Sequence, residues 1–465
     1  MDTGKFHHAL KIREDLCVGC SRCMNVCPTE AIRVKNGKAV LFEDHCVDCG
    51  ECFKSCPVSA IIVDHDDFNY IFDYKYRIAL VPAIFTGQFP EEITHRQIQS
   101  VLMELGFTHV YEVENGVEIL IDAINDYALS HPDIKPLISS FCPAIVRLIQ
   151  VKFPSLVDNI MLLKPPLDIS ANFLKKELLD KGIPDNEIGI FYVTPCAAKI
   201  AAIKEPVGEM SSPITGAINM DFIFNKVYRQ ASQKSNQTCA WPGPMCLSRK
   251  AKNWSLPNGE ANHVKGRCLA IDEIHNVIDF LEKLENDEIS DIDFLELRAC
   301  DQGCAGGALT PGNRFLTVER LRNHVDSLKE KTLLHEHPDA FRPITEQKEF
   351  LLKNISMIEP VKPRSMMKLD ENMGEAMKKM ERANQIMKVL PMIDCSVCGA
   401  PNCQAFALDI VQGRAELKQC VFIKSTLEQR GELNQEESNQ ILKDIWGFEK
   451  TNKYRDIDHE GKRTS

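Results

Sequence analysis

The sequence predicts a multidomain protein of mixed class, part α+β and part α/β, and three observations indicate this. Eight cysteines within the first sixty residues form two identical runs. From about residue 77, apolar segments with the length of buried strands alternate with helical segments, as α/β architecture requires. Near the C-terminus, four further cysteines lie within 26 residues, which indicates a small, α-helical metal-binding domain.

The two N-terminal runs repeat at an offset of 29 residues, as Cys17-x2-Cys20-x2-Cys23-x3-Cys27-Pro28 and Cys46-x2-Cys49-x2-Cys52-x3-Cys56-Pro57. The pattern is typical of ferredoxin-like domains with two [4Fe–4S] clusters, in which the fourth cysteine of each run ligates the other cluster. We therefore predict cluster one on Cys17, Cys20, Cys23 and Cys56, and cluster two on Cys46, Cys49, Cys52 and Cys27. Two zinc sites are the alternative. Between the runs, Asn36-Gly37 separates two short apolar segments and predicts a β-hairpin.

Composition excludes several classes of protein. The net charge of −11 gives no broad electrostatic support for nucleic-acid binding, and a mildly acidic surface suits a basic redox partner. No apolar run reaches the roughly 18 residues of a membrane span, and no signal peptide is evident. Tight C-x2-C grouping among the 19 cysteines indicates metal ligation rather than disulfides. We therefore predict a cytoplasmic protein.

The central region contains cysteines at the ends of predicted strands. The strands are predicted over residues 78–85, 107–113, 137–141, 188–194 and 294–299, with a helix over 91–105. Cys142, Cys196 and Cys300 follow three of these strands directly. Because open α/β sheets bind ligands at the carboxyl ends of their strands, these cysteines and Cys304 are expected to converge on one metal centre. Glycines on either side of Cys304 permit close approach to a bulky cofactor. Buried structural thiols are the alternative.

Three motifs of this region occur in the order found in a known family. They are Ser139-Ser140-Phe141-Cys142-Pro143, Thr194-Pro195-Cys196-Ala197-Ala198-Lys199 and Ala299-Cys300-Asp301-Gln302-Gly303-Cys304-Ala305-Gly306-Gly307. Over about residues 10 to 325 the chain resembles the [FeFe]-hydrogenases, and its central domain is expected to have the iron-only hydrogenase fold. The resemblance implies that Cys142, Cys196, Cys300 and Cys304 hold a fourth [4Fe–4S] cluster. It also implies that Cys304 bridges this cluster to a two-iron subsite with CO, cyanide and dithiolate ligands, and that Lys199 hydrogen-bonds a cyanide.

The sequence also departs from the catalytic members of that family. Phe141 stands where they have a proton-relaying cysteine, and Ala202 stands where they have a glutamate. Thr194 replaces a methionine, and Asp301-Gln302 replaces Pro-Gly. The pattern is similar to the divergent, sensory branch of the family, for which we expect slow turnover. Asp301, Thr194 and Glu205 are the candidates for a slower proton route.

The C-terminal region contains the four cysteines Cys395, Cys398, Cys403 and Cys420. Their spacing resembles the small [4Fe–4S] domain of corrinoid iron–sulfur proteins and predicts a third accessory cluster, with zinc as the alternative. Residues 375–389 are predicted to form a helix, Pro360 and Pro363 to lie in a linker, and the stretch from 431 to be partly disordered. The remaining cysteines are interpreted as structural thiols, namely Cys239, Cys246 and Cys268.

These observations predict five segments along the chain. They are a two-[4Fe–4S] ferredoxin-like domain (1–70), a hydrogenase-like domain (76–328), a linker and helix (329–390), a four-cysteine [4Fe–4S] domain (391–430) and a polar tail (431–465). The predicted function is slow H2 oxidation and proton reduction, or H2 and redox sensing, with electrons relayed to a ferredoxin-like or other redox partner. Two-iron assembly proteins and a separate signalling partner are further expected partners. An electron-transfer or regulatory protein without the two-iron subsite is the alternative, and a zinc-rich scaffold is a third hypothesis.

Overall fold

The computed structural model describes residues 7–233, 247–327, 343–364 and 369–452 of the 465-residue chain. Its contacts divide the chain into two compact units. The larger unit comprises residues 1–9, 47–50 and 64–363, and the smaller unit comprises residues 10–46, 51–63 and 364–465. One boundary falls between Pro363 and Arg364, at the prolines from which a linker is predicted. The smaller unit thus unites the N-terminal cysteine runs with the C-terminal four-cysteine segment.

The strands of the described residues are β1 Leu10–Ile12, β2 Ile32–Lys35, β3 Lys38–Leu41, β4 Ile61–Val63, β5 Tyr76–Val81, β6 His109–Glu112, β7 Leu137–Ile138, β8 Ile188–Thr194, β9 Gly216–Asn219, β10 Cys268–Ile271 and β11 Phe294–Leu297. The α-helices are α1 Arg22–Asn25, α2 Glu51–Ser55, α3 Ala83–Thr86, α4 His95–Glu104, α5 Val117–Ser130, α6 Pro143–Lys152, α7 Pro166–Asp180, α8 Ala197–Lys204, α9 Met220–Ala231, α10 Arg249–Asn253, α11 Ile274–Glu285, α12 Arg314–Ser327, α13 Lys348–Lys353, α14 Met373–Met387, α15 Cys403–Val411, α16 Val421–Gln429, α17 Gln435–Trp446 and α18 Phe448–Asn452. None of these helices is both long and apolar enough to cross a membrane.

The larger unit contains two parallel sheets, in the strand orders β6-β5-β8-β9 and β10-β11-β7. Every residue of β8 is buried, which explains its continuous apolar run, because a parallel strand covered on both faces has no solvent side. The prediction of a strand over 188–194 is confirmed. The strand predicted over 78–85 is too long, since β5 ends at Val81 and α3 follows Pro82, which lacks the N–H that a sheet requires.

The smaller unit contains two antiparallel pairs, β1 with β4 and β2 with β3. Asn36 and Gly37 connect β2 to β3 with φ values of 50° and 72°, which are the positive angles that a tight hairpin turn of matching twist requires. The predicted hairpin is confirmed. Helix α14 confirms the helix predicted over 375–389, within two residues at each end. Of the stretch predicted to be partly disordered, residues 435–452 form α17 and α18.

Candidate metal centres

Two of the central cysteines lie at the N-termini of helices in the larger unit. Cys142 caps α6 and Cys196 caps α8, and both have extended backbone angles. Pro143 occupies the first position of α6, where its missing N–H costs nothing. The first N–H groups of a helix have no partner within the helix and carry partial positive charge. Both sites therefore favour a thiolate or the negative charge of a cluster.

The turn that contains Cys300 and Cys304 is held against the Cys196 segment. Cys304 N donates to Ser255 O at 2.9 Å, and Leu309 N donates to Pro195 O at 2.9 Å. A Cβ at Gly307 would lie 2.4 Å from Pro195 O, so only glycine permits this approach. The glycines beside Cys304 thus allow close packing of protein backbone, whereas the sequence suggested that they make room for a cofactor.

The structure brings three of the four predicted central ligands together, namely Cys142, Cys196 and Cys304. The pKa of Cys196 is raised to about 12, mainly by burial and in part by the nearby Cys304 and Cys142, against an opposing contribution from Lys199. Burial also raises the pKa of Cys304. Cys300 lies four residues before Cys304 in the same turn. A dry site with several thiols suits a metal cluster, because ligation replaces the thiol protons that the buried site favours.

Lys199 is a buried cation beside these thiols. The side chain lies in the first turn of α8, and the residue is only 7% exposed. Its Nζ lies 3.5 Å from the Tyr192 hydroxyl and 4.0 Å from Cys304 Sγ. Burial lowers the pKa of Lys199, but the facing Cys304 and Tyr192 raise it more, so the amine stays charged. Among the residues that the structure describes, no carboxylate forms a salt bridge with it, and the Cys304 sulfur lies within 4.0 Å.

Phe141 is fixed between two cations. Its ring centroid lies 4.5 Å from Lys199 Nζ and 3.8 Å from Arg298 Cζ, and cation–π contacts of this kind are strongest where water is excluded. Arg298 is itself buried and pairs with Glu260 at 2.6 Å. Sequence reasoning missed Arg298, although it lies between β11 and Cys300. The buried ring is therefore held in place beside Cys142.

A cavity of about 40 Å³ adjoins Lys199. By the usual 10–15 Å³ per water, it has room for roughly three waters. Most of its lining is apolar, but Glu114 and Asp168 also line it. Glu114 accepts hydrogen bonds from Ala83 N at 2.8 Å and from Ser255 Oγ at 3.0 Å. Burial raises the pKa of each of these two carboxyls to about 7. Both can therefore exchange a proton near neutral pH.

The three proton-route candidates named from the sequence do not line this cavity. Asp301 pairs with Arg314, and the Thr194 hydroxyl donates to Cys196 O at 2.9 Å. Glu205 accepts from His7 N at 2.5 Å. Glu114 and Asp168 were missed, although each had a local signal: Glu114 lies two residues beyond β6, and Asp168 follows Pro165-Pro166 in the first turn of α7.

The raised pKa of Asp168 predicts a pH-dependent stability. A carboxyl whose pKa rises from 3.8 to about 7 on folding stabilises the fold fully below pH 4 and loses that contribution as the pH rises through 7. The Asp168→Asn variant stays neutral, so it should match the parent at pH 4 and exceed it at pH 8 by about 1–2 kcal/mol, since part of the side chain is exposed. Urea unfolding at both pH values measures this. A constant difference between parent and variant would contradict it.

In the smaller unit, the structure places the four predicted ligands of cluster one near one another. Burial raises the pKa of Cys23 to about 12, with further contributions from Cys17, Cys20 and Cys56. The two N-terminal cysteine runs also share an equivalent hydrogen bond from a main-chain N–H to a cysteine sulfur. Ala31 N donates to Cys27 Sγ at 3.2 Å, and Ala60 N, 29 residues later, donates to Cys56 Sγ at 3.2 Å. Cys27, Cys46 and Cys52, which are predicted ligands of cluster two, also belong to the smaller unit.

The C-terminal cysteines also lie close together. Burial raises the pKa of Cys398 to about 12, and Cys395, Cys420 and Cys403 raise it further. Among the three cysteines interpreted as structural, Cys268 is half-buried and donates to Val264 O at 3.4 Å. Cys239 and Cys246 lie outside the described residues. All ligand assignments remain predictions, and the geometry is compatible with them.

Three family models match the chain. The "4Fe-4S dicluster domain" model matches residues 9–60, and the model described as "Putative Fe-S cluster" matches residues 390–422. The "Iron only hydrogenase large subunit, C-terminal domain" model matches residues 75–222. No curated protein matches the chain.

Solved structures of [FeFe]-hydrogenases are also similar to the chain. One, on stepwise H-cluster assembly, is 16% identical over 61% of this chain and 90% of its own length, with a TM-score of 0.45. Two variants from Chlamydomonas reinhardtii, the second of them an apo form, are each 15% identical over 62% of this chain and 94% of their own. Their TM-scores are 0.47 and 0.48.

The class of the protein follows from the cysteine repeat and the two iron–sulfur models, because together they define an iron–sulfur protein with [4Fe–4S] domains. More particularly, it is an [FeFe]-hydrogenase-like protein, with the resemblance located in residues 75–222 by the family model.

Proposed function

We propose that the protein oxidises H2 slowly to two protons and two electrons, or binds H2 as a redox signal, at the centre formed by the four cysteines of the larger unit. The observation that carries the proposal is Lys199, a buried cation at a cavity beside the Cys304 thiol. A buried charge is costly unless it faces an opposite charge. Cys142, Cys196, Cys300 and Cys304 would hold a [4Fe–4S] cluster that bears such charge.

The thiol of Cys304 and the ammonium group of Lys199 are chemically suited to hold a two-iron subsite. Cys304 would bridge the cluster to the subsite, and Lys199 would donate a hydrogen bond to a cyanide ligand. When bound, the subsite would supply the metal chemistry that splits or forms H2. The chain would supply the cation, the dry surroundings and the proton supply.

Slow turnover is supported by the groups around the cavity. Phe141 and Ala202 both line it, and neither can carry a proton. Glu114 and Asp168, with pKa values of about 7, would hold protons there instead. Positioned acid–base groups typically raise a reaction rate by about 10²- to 10⁴-fold, and a proton relay without its usual cysteine and glutamate would lose part of that increase.

An electron-transfer or regulatory protein without the two-iron subsite is the second candidate. It is favoured by the small volume of the cavity, about 40 Å³, and by the rigid placement of Phe141 at its edge. In this case the central cysteines hold a [4Fe–4S] cluster alone.

The expected partners follow from the clusters. We infer a ferredoxin-like or other redox partner for the electrons, assembly proteins for the two-iron subsite and, for a sensory role, a separate signalling protein. A cytoplasmic location is supported by the 17 described cysteines, which are all free of disulfides.

Infrared spectroscopy tests the proposal on full-length protein produced anaerobically with the two-iron assembly proteins. CO and cyanide bands that shift on addition of H2 are expected, and the Cys304→Ser variant should lack them. A slow H2-oxidation assay then separates enzyme from sensor. If the bands are absent while iron and sulfide contents are full and the same assembly proteins load a control hydrogenase, the second candidate is correct.

A further inference from the structure

The C-terminal four-cysteine segment is joined to the β2–β3 hairpin through main-chain hydrogen bonds. Val34 N donates to Gly399 O at 2.9 Å, and Gly399 directly follows the predicted ligand Cys398. Asn36 N and Gly37 N donate to Asp444 O and Ile445 O at 2.7 and 2.9 Å. The hairpin is therefore bonded to the four-cysteine segment at Val34 and to α17 at its turn.

The opposite edge of the same hairpin holds a predicted ligand of cluster one. Ala39 N donates to Cys17 Sγ at 3.3 Å, and Lys38 Nζ donates to Cys17 O at 2.7 Å. Val34 and Ala39 are direct partners in the β2–β3 register. Because both of their N–H groups point out of the hairpin, they form a non-hydrogen-bonded pair, whose Cα atoms lie about 4.5 Å apart.

These contacts form a short path between two cluster sites, made of covalent bonds, two hydrogen bonds and one through-space step across the strand pair. It begins at Cys398, crosses the bond from Val34 N to Gly399 O, spans one strand pair and ends at the bond from Ala39 N to Cys17 Sγ. Every step uses main-chain atoms or a thiol, and the strand is fixed by the buried pair of Arg33 and Asp409.

Glycine is required at the centre of this path. Gly399 has a φ of 83°, and a Cβ there would lie 2.5 Å from Val34 O. By contrast, Gly413 in the same segment has a φ of 71° and nothing within 4 Å of its Cβ position. Of these two glycines, which have similar backbone angles, only Gly399 packs against the hairpin.

We propose that the C-terminal cluster exchanges single electrons with cluster one across the β2–β3 hairpin. One electron passes from the reduced cluster, which returns to its oxidised form, to the oxidised cluster, which becomes reduced, and no atom or proton is transferred. The C-terminal cluster is then a second end point of the electron-transfer chain. The proposal depends on the clusters of the smaller unit and is independent of the hydrogen chemistry proposed above.

A second contact offers a competing route. Asn402 Nδ2 donates to Glu30 Oε1 at 2.6 Å, and Glu30 precedes Ala31, whose N–H contacts Cys27 of predicted cluster two. This route passes through two side chains, of which Glu30 is only partly buried. The hairpin route runs through main-chain atoms of a paired strand and is the more rigid of the two, so we assign the exchange to it.

The first test uses the unmodified full-length chain with all clusters reconstituted. On reduction with dithionite, electron paramagnetic resonance should show that the reduced C-terminal cluster speeds the spin relaxation of cluster one. The Cys420→Ser variant, which lacks one ligand of the C-terminal cluster, should lose this effect. Unchanged relaxation of cluster one in parent and variant would overturn the proposal.

The second test measures electron redistribution by rapid freeze-quench after substoichiometric reduction. The Gly399→Ala variant should redistribute electrons between the two clusters severalfold more slowly than the parent, with unchanged iron and sulfide content. Gly413→Ala is the matched control and should behave as the parent does. Slowing by Glu30→Ala but not by Gly399→Ala would assign the exchange to cluster two and overturn the hairpin route.

Discussion

Replacing Phe141 by cysteine is expected to raise the H2-oxidation rate of the fully loaded protein by about 10²-fold, the lower end of what one positioned proton carrier contributes. Phe141 is 5% exposed and lies between Lys199 and the Arg298 guanidinium. A thiol at this position would lie beside a cation that favours its charged form and beside the cavity that Glu114 and Asp168 line. Dye-linked H2 oxidation under anaerobic conditions measures the rate.

The Phe141→Ala variant is the matched control, because it leaves nearly the same space without a proton carrier. Both variants lose the stacked ring and should be destabilised, by about 3 kcal/mol for the alanine variant. Only the cysteine variant should gain rate, and the gain should appear in turnover with the CO and cyanide bands still present. Equal rates in the two variants would mean that Phe141 does not limit proton supply.

The Asp409→Asn variant is expected to destabilise the smaller unit by about 3 kcal/mol, since removal of one partner leaves an uncompensated buried charge. Arg33 Nε and Asp409 Oδ2 lie 2.5 Å apart, and their side chains are 3% and 7% exposed. Burial lowers the pKa of the neighbouring His45, and Arg33 and Arg414 lower it further, so the surroundings are already positive. Urea unfolding followed by circular dichroism at neutral pH measures the loss.

A surface pair in the same unit provides the comparison for this variant. Arg13 and Asp15 form an ion pair at 2.7 Å whose side chains are 50% and 60% exposed. Solvent screens such a pair, and the Asp15→Asn variant should unfold at the same urea concentration as the parent. Equal midpoints for Asp409→Asn and Asp15→Asn would show that the buried pair does not hold the C-terminal segment to the hairpin.

Local spacing was enough to predict much of this protein from its sequence. C-x2-C runs place several thiols on one loop, so the sites near Cys23 and Cys398 required no knowledge of the fold. Asn36-Gly37 predicted the hairpin because few other residues adopt two positive φ angles in succession. The apolar run of β8 predicted a buried strand for the same kind of local reason.

Other features depend on residues that are distant in sequence. Strands β9 and β10 were not predicted, since four residues that include Gly216 or Cys268 give too short an apolar pattern. Arg298 packs on Phe141 although more than 150 residues separate the two in the sequence, and no local motif around either residue predicts the contact. Glu114 and Asp168 acquire pKa values of about 7 only because folding buries them beside one cavity.

The sequence by itself therefore determined the protein's iron–sulfur class and its likeness to the iron-only hydrogenases, and it predicted the cysteines expected to serve as ligands, because those signals are short and local. The tertiary structure alone decided that the C-terminal four-cysteine segment joins the N-terminal runs in one unit. That association is made by main-chain hydrogen bonds such as Val34 N to Gly399 O, together with side-chain contacts such as the pair of Arg33 and Asp409. Any residue but proline can donate a main-chain hydrogen bond, so such bonds cannot be predicted from residue types, apart from the glycine that this contact requires.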